Sequence, residues 1–264
     1  MGAGPTAGVV RELLEVAEEA AVAAGEVLRP RFEAGVERAL GTKSSVTDPV
    51  SQADLESEAA IRAVLARRRP ADGVLGEEGG HQGEGDGLLW VVDPLDGTAN
   101  FLQGIPLWCV SVAVRDAGGA VAGAVLDPLR GELFSAARDG EARLGDAVLA
   151  GSPCGELARA IVGTGFAYDA GVRAGQGAVV GRLLARIGNL RRGGACALDL
   201  AWAAAGRLDA FYERAVEEWD VAAGELLCRQ AGLVVERLPP SDGLPAGILA
   251  APPALADELR AAVA

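Results

Sequence analysis

Between Leu88 and Ala137 four apolar, strand-like stretches follow one another with only Gly- or Pro-containing turns between them: LLWVVD, WCVSVAVR, AVAGAVLD and ELFSAA. Such closely spaced runs predict a sheet meander. A sheet that apolar must be covered on its faces. The cover is supplied upstream. Val10, Leu13, Val16, Ala20, Ala24 and Val27 recur at helical spacing over residues 9–28. A second helix is predicted from about Ser51 to Arg68, turning Leu55, Ile61, Val64 and Leu65 inward. Ser51 and Asp54 read as a capping box at its start. Residues 72–87, rich in Gly, Asp and Glu, predict a loop carrying His81, the one histidine.

After SPCG at 152–155 the pattern changes. AIVGTGF predicts a short strand, residues 174–187 and 195–206 helices, DAFYE a strand, and Asp220 the start of a helix closed by Gly232. Helices and strands alternate without strict βαβ regularity, so the fold class is α/β (α+β), layered, with mixed strand directions. The division predicted is an N-terminal α+β unit over 1–150 and a C-terminal α/β unit over 151–264, sharing a large interface.

Charge narrows the function. With 24 basic and 37 acidic side chains the formal charge is −13. That disfavours nucleic acid and anionic membrane as partners, and an acidic chain that handles phosphate needs cations to do it. Neither a secretory signal nor a membrane-spanning run stands out, which implies a cytoplasmic protein. The four cysteines, Cys109, Cys154, Cys196 and Cys228, lack paired spacing and suggest buried thiols in a reducing compartment. A single loop histidine disfavours Ser-His-Asp or Cys-His catalysis.

The residues best suited to chemistry lie in WVVDPLDGTANFLQGIP, 90–106. An apolar strand runs out into Asp93 and Asp96, Pro94 stiffens the backbone between them, and Gly97 allows close approach to the main chain. Two carboxylates three apart at a strand end suit a hard cation such as Mg²⁺, Mn²⁺ or Ca²⁺. The same residues also read as a turn with Asp96 capping the next helix. Glu77 and Glu78 in GEEGG, Asp54 in DPVSQAD and Asp220 in EEWDVAAGELL each have a plain structural reading too, as loop acids or helix caps. Their co-occurrence gives them weight. Two unit charges 4 Å apart repel by about 4 kcal/mol at an effective dielectric of 20, so four clustered carboxylates persist only with cations bound.

Taken together, WVVDPLDGTANFLQGIP and EEWDVAAGELLCRQAG resemble the two signature motifs of the inositol monophosphatase family. GEEG, DPVSQAD, GTGFAYD, RRGGACALDL and GRLDAFYE extend the resemblance over roughly residues 10–250. It implies an α-β-α-β-α sugar phosphatase fold, usually a homodimer, dependent on two or three Mg²⁺ ions (Mn²⁺ possible) and inhibited by Li⁺, acting on a small-molecule phosphate ester. By that resemblance Asp93 bridges two metals, Glu77 and the Leu95 carbonyl complete the first site, and Asp96 and Asp220 hold the second. Glu78 lies just behind them. Thr98 with Asp54 orients and deprotonates the attacking water, and Glu77 belongs to the same machinery. The Gly97 and Thr98 amides receive phosphate oxygens, while Glu213 and the Cys196 main chain contact the alcohol. Lys43 matches a family lysine near the phosphate, or is an exposed loop cation.

Departures concern substrate. Residues 215–218 read AVEE where many members carry a Gly-led stretch, Gly165 and Phe166 stand where some relatives place a substrate-binding serine, and Cys196 replaces a common Ala or Ser. Histidinol phosphate, fructose 1,6-bisphosphate and a 3′-phosphonucleotide are the alternative substrates within the fold. Haloacid dehalogenase phosphatases also end their motif in Asp-Gly-Thr, but their aspartates are two apart. A regulatory binding protein that keeps the fold is the non-enzymatic alternative.

Overall fold

A computed structural model describes residues 5–35, 39–42, 49–83 and 87–264. In chain order it contains helix α1 (Ala7–Ala34), strands β1 (Ala39–Thr42) and β2 (Pro49–Ser51), helix α2 (Gln52–Arg68), strands β3 (Gly73–Gly76), β4 (Gly80–Gln82) and β5 (Leu89–Asp96), and the short helix α3 (Thr98–Leu102). The meander follows as β6 (Cys109–Asp116), β7 (Gly119–Asp127), β8 (Glu132–Ala137), β9 (Arg143–Leu144) and β10 (Ala147–Val148). Then come β11 (Ile161–Thr164), α4 (Ala170–Leu183), β12 (Asn189–Arg191), α5 (Cys196–Ala204), β13 (Ala210–Arg214), α6 (Glu218–Gln230), β14 (Val234–Leu238), β15 (Gly247–Ala251) and α7 (Pro253–Val263).

Strands β1 and β2 pair as a small antiparallel sheet of their own, and the other strands make two large sheets: one of eight strands, ordered β10-β9-β8-β7-β6-β5-β3-β4, and one of five, β12-β11-β13-β15-β14. Both are mixed: β3 runs parallel to β5 and β11 parallel to β12 and β13, while the meander is antiparallel. Alternation along the strands sorts the core into layers. Trp90, Val92, Val110, Val112, Val114, Ala122 and Ala124 join α1 and α2 on one face. Val91, Cys109, Ala113, Val125 and Phe134 join α5 and α6 on the other, with Phe211, Ile248 and Ala250 of the second sheet. The outer face of that second sheet is covered by α4 and α7. The order is therefore helix, sheet, helix, sheet, helix, as the layered reading expects.

Several elements differ in detail from the sequence reading. Residues 72–87 include the hairpin β3–β4, with His81 exposed in β4. The short strands carry too few apolar residues for their alternation to show. Helix α4 begins at Ala170, where Asp169 caps it by accepting from the Val172 amide, and ends earlier than predicted. Leu55 does not turn inward: it is 43% exposed. The buried face of α2 is Ala53, Asp54, Ser57, Glu58, Ile61, Val64 and Leu65, so its first turns bury polar side chains. Cys154 is partly exposed, whereas Cys109, Cys196 and Cys228 are buried free thiols.

Candidate active site

The site begins with an irregularity in β5. Asp93 pairs with Ser111 and Asp96 with Cys109, so three steps along β5 match two along β6. One extra residue is thus accommodated at Pro94–Leu95, a bulge where proline's missing N–H costs no ladder bond. In a regular strand residues three apart face opposite sides. The bulge brings Asp93 and Asp96 to the same side, that of Cys109 and Ser111, facing α5 and α6. Asp93 Oδ1 accepts from the Leu95 amide at 3.0 Å, which fixes the turn.

Three elements converge on this face. Parallel pairing of β3 with β5 sets Gly76 beside Val92, and the Glu77 amide donates to the Val92 carbonyl, so Glu77 emerges next to Asp93. From α6 comes Asp220, which sits at the third helical position rather than opening the helix. Glu217 is the N-cap, and Asp220 Oδ2 accepts from its amide at 2.7 Å. From α5 the Ala197 amide donates to Asp96 Oδ2 at 2.6 Å, and the Cys109 thiol approaches the same oxygen at 3.6 Å. Asp96 does not cap α3, whose N-cap is Gly97 at φ 94°. A side chain on Gly97 would press on the Leu107 carbonyl, Trp108 and Ala195, so this left-handed position also lies in a tight cradle.

Asp54 and Thr98 are brought together from opposite sides of the site. Thr98 Oγ1 donates to Asp54 Oδ1 at 2.8 Å and lies 3.0 Å from the Leu95 carbonyl. The Ser51 amide and hydroxyl both donate to Asp54 Oδ2 in the predicted capping box. Asp54 is fully buried and Thr98 nearly so.

Electrostatics mark the cluster. Burial, reinforced by Glu77, raises the Asp96 carboxyl to about 6. Burial and then Asp96 push Asp220 well up. Burial, with Asp199 and Asp96 beside it, raises Glu213 to about 8. The Cys109 and Cys196 thiols are driven up by burial and by neighbouring carboxylates, which makes them poor nucleophiles. Every donor in this set that could meet a cation is a hard oxygen, and the clustered negative charge is destabilised as it stands. Among the described residues no three acidic, histidine or cysteine side chains already stand in an ion-holding group.

A cleft of about 610 Å³ opens above them, lined by Glu77, Asp96, Gly97, Cys196, Glu213 and Asp220 and walled by Phe166, Tyr168 and Trp219. Gly165 lies in its lining, and a side chain there would collide with the Glu213 carboxyl. Glycine at this position thus makes room for Glu213. Lys43 lies outside the described residues. A larger cleft of about 750 Å³ lies over α6 and β14, but its arginines are already engaged: Arg115 and Arg237 with Glu218, Arg229 with Glu225.

Two buried carboxylates that brace the site's backbone, Glu58 and Asp199, escape the sequence reading. Glu58 accepts from the Glu78 and Gly79 amides, both at 2.9 Å, and pairs with Arg62 at 2.7 Å, so it props up the turn bearing Glu77. Asp199, raised to about 7 by burial and Asp96, accepts from the Gly193 backbone. Glu58 stands four residues after Asp54 on the buried face of α2, which is the one signal that could have found it.

Residues 9–264 match the family model described as the inositol monophosphatase family. The chain belongs to the inositol monophosphatase family. It is 44% identical over 237 residues to an inositol-1-monophosphatase of Mycobacterium leprae, covering 85% of this chain and 81% of that protein. It is 40% identical over 225 residues to a protein of Salmonella typhimurium named Nus factor SuhB, covering 84% of each. Among solved structures, the extragenic suppressor protein SuhB of Bartonella henselae superposes with a TM-score of 0.86 at 32% identity, covering 97% of this chain and 98% of that one. Membership supports a phosphatase that acts on a small phosphate ester, in a family that is generally metal-dependent. No helix among the described residues is long and apolar enough to cross a membrane.

Proposed function

We propose that the chain hydrolyses inositol monophosphate to inositol and phosphate by direct attack of water. The observation that carries this reading is the Thr98–Asp54 hydrogen bond at 2.8 Å, set beside the bulge that turns Asp93 and Asp96 to one face. In it Glu77, Asp93, the Leu95 carbonyl, Asp96 and Asp220 would hold two or three Mg²⁺ ions, with Mn²⁺ as a substitute and Li⁺ as an inhibitor. Glu78 supports Glu77 from behind. When bound, the ions lower the pKa of a coordinated water and neutralise charge on the phosphate and the leaving oxygen.

The rest is done by the chain. Thr98 Oγ1 gives its proton toward Asp54, so its lone pairs are turned to accept a proton from the attacking water. The water oxygen bonds to phosphorus as one of its protons passes through Thr98 to Asp54 and the other stays on the phosphate; the ester P–O bond breaks, the leaving alkoxide takes a proton from solvent water, and Asp54 then returns its proton to solvent. The Gly97 and Thr98 amides receive phosphate oxygens at the start of α3. Glu213 and the Cys196 main chain meet the hydroxyls of the alcohol, Glu213 with the extra depth that Gly165 allows. The active form in this reading is a cytoplasmic homodimer.

The test is phosphate release from inositol 1-phosphate, histidinol phosphate, fructose 1,6-bisphosphate and 3′-phosphoadenosine 5′-phosphate, with Mg²⁺, with EDTA and in Asp93→Asn. Mg²⁺-dependent turnover led by inositol 1-phosphate and lost in the variant is the expected result. Turnover led by another ester moves the substrate and keeps the site. A folded protein that hydrolyses none of them overturns the reading in favour of a regulatory binding protein.

A further inference from the structure

The Asn100 side chain joins the two segments that close on Gly97. Its Nδ2 donates to the Leu107 carbonyl at 2.6 Å and to the Gly193 carbonyl, 93 residues away in the chain, at 2.9 Å. The residue is 6% exposed. Leu107 and Ala195 are among the groups that crowd the space a Gly97 side chain would need. The Gly193 loop is held from its other side by Asp199, whose carboxylate fills the space beside Gly193 and accepts from its backbone. Immediately beyond the loop, α5 opens, and the Ala197 amide reaches Asp96 at 2.6 Å.

An asparagine suits this place for a specific reason. One amide nitrogen carries two N–H groups, and two carbonyl oxygens stand ready to accept them. Aspartate has the same size but only acceptors at neutral pH, so it would set a carboxylate against two carbonyls. We infer that Asn100 is a positioning residue of the active site: by tying the Gly193 loop to the Leu107 segment, it holds the start of α5 so that its amide orients Asp96. The inference rests on the functional reading above for the role of Asp96. The clamp itself does not.

The test uses the full chain as wild type, Asn100→Ala and Asn100→Asp, with Phe101→Leu as a packing control from the same helix. Two substrate-free measurements are made: amide hydrogen exchange over residues 193–197 and Mg²⁺ binding by calorimetry. Both Asn100 variants are expected to exchange at least tenfold faster over 193–197 and to bind Mg²⁺ about tenfold more weakly, the order lost when a group supporting a metal ligand is removed. The control should lose thermal stability and change neither. Asn100→Asp fills the original space, so it reports on the donors even where Asn100→Ala does not fold. Wild-type exchange in Asn100→Asp overturns the inference. So does faster exchange with unchanged Mg²⁺ binding, which leaves Asn100 a structural residue only. A wild-type protein that binds Mg²⁺ but releases no phosphate counts against the functional reading alone, since neither measurement involves substrate.

Discussion

Thr98 hands its hydroxyl hydrogen to a carboxylate that has no other role in the fold requiring Thr98. Asp54 already completes its capping box through Ser51. Losing the Oγ1–Oδ1 bond takes one donor from a buried oxygen, at a cost of about 1–3 kcal/mol, while the capping box on Oδ2 stays intact. Thr98→Ala is expected to lower kcat by 10² to 10⁴, the range of a lost proton-transfer partner, with KM and Mg²⁺ dependence nearly unchanged. Thr98→Ser should keep most of the activity. Equal losses in both variants, read by steady-state kinetics, would count against proton relay by the hydroxyl. At this scale the site was legible because its acids sit in short motifs whose order and spacing can be read directly. Asn100, Glu58 and Asp199 were not, because each acts on a partner that only folding brings near. An asparagine after Asp-Gly-Thr-Ala looks like any turn residue until the Gly193 carbonyl is placed beside it.

The hairpin β3–β4 and helix α2 form one device, since the turn that presents Glu77 is propped from below by a carboxylate on α2. Glu58 is buried, and its two backbone acceptor contacts and its pair with Arg62 leave little of it to water. Its carboxylate also occupies the space beside Gly76 and Gly79, so glycine is needed at both. Glu58→Ala would strand two amides and a guanidinium, at a cost of about 2–3 kcal/mol. At roughly 2–4 °C per kcal/mol for a chain of this size, the melting temperature should fall by several degrees. Activity should fall as well, because Glu77 loses its support. A variant as stable as wild type would show that the turn holds itself. This device explains where the sequence reading of α2 went astray. Periodicity assigns apolar residues inward, so it placed Leu55 in the core. The first turns of α2 instead bury Asp54, Ser57 and Glu58, with Ser57 donating to the Pro94 carbonyl, and Leu55 is turned to solvent. An amphipathic pattern fails where a helix builds a site with its buried face.

Over the whole molecule, the five layers follow from patterning that needs little more than alternation and helical spacing. The acidic centre runs against that stability. Asp199 and Glu213 bind their protons more tightly folded than unfolded, at about 7 and about 8 against ordinary values near 4. Above pH 4.5 the folded state therefore holds protons that the unfolded chain releases, and stability falls as pH rises. The contribution is whole below about pH 4 and is lost as pH climbs through 7 to 8. Metal-free protein in EDTA should accordingly melt at progressively lower temperature between pH 5.5 and 8.5. Saturating Mg²⁺ should flatten that slope, because cations offset the charge that deprotonation adds beside Asp96 and Asp220. Glu213→Gln removes one of the titrating groups and should shrink the slope without Mg²⁺ as well. A melting temperature that rises with pH in EDTA, or a slope indifferent to Glu213→Gln, would show that these carboxyls are already ionised in the fold. The charge cluster would then be balanced by something other than protons or metal.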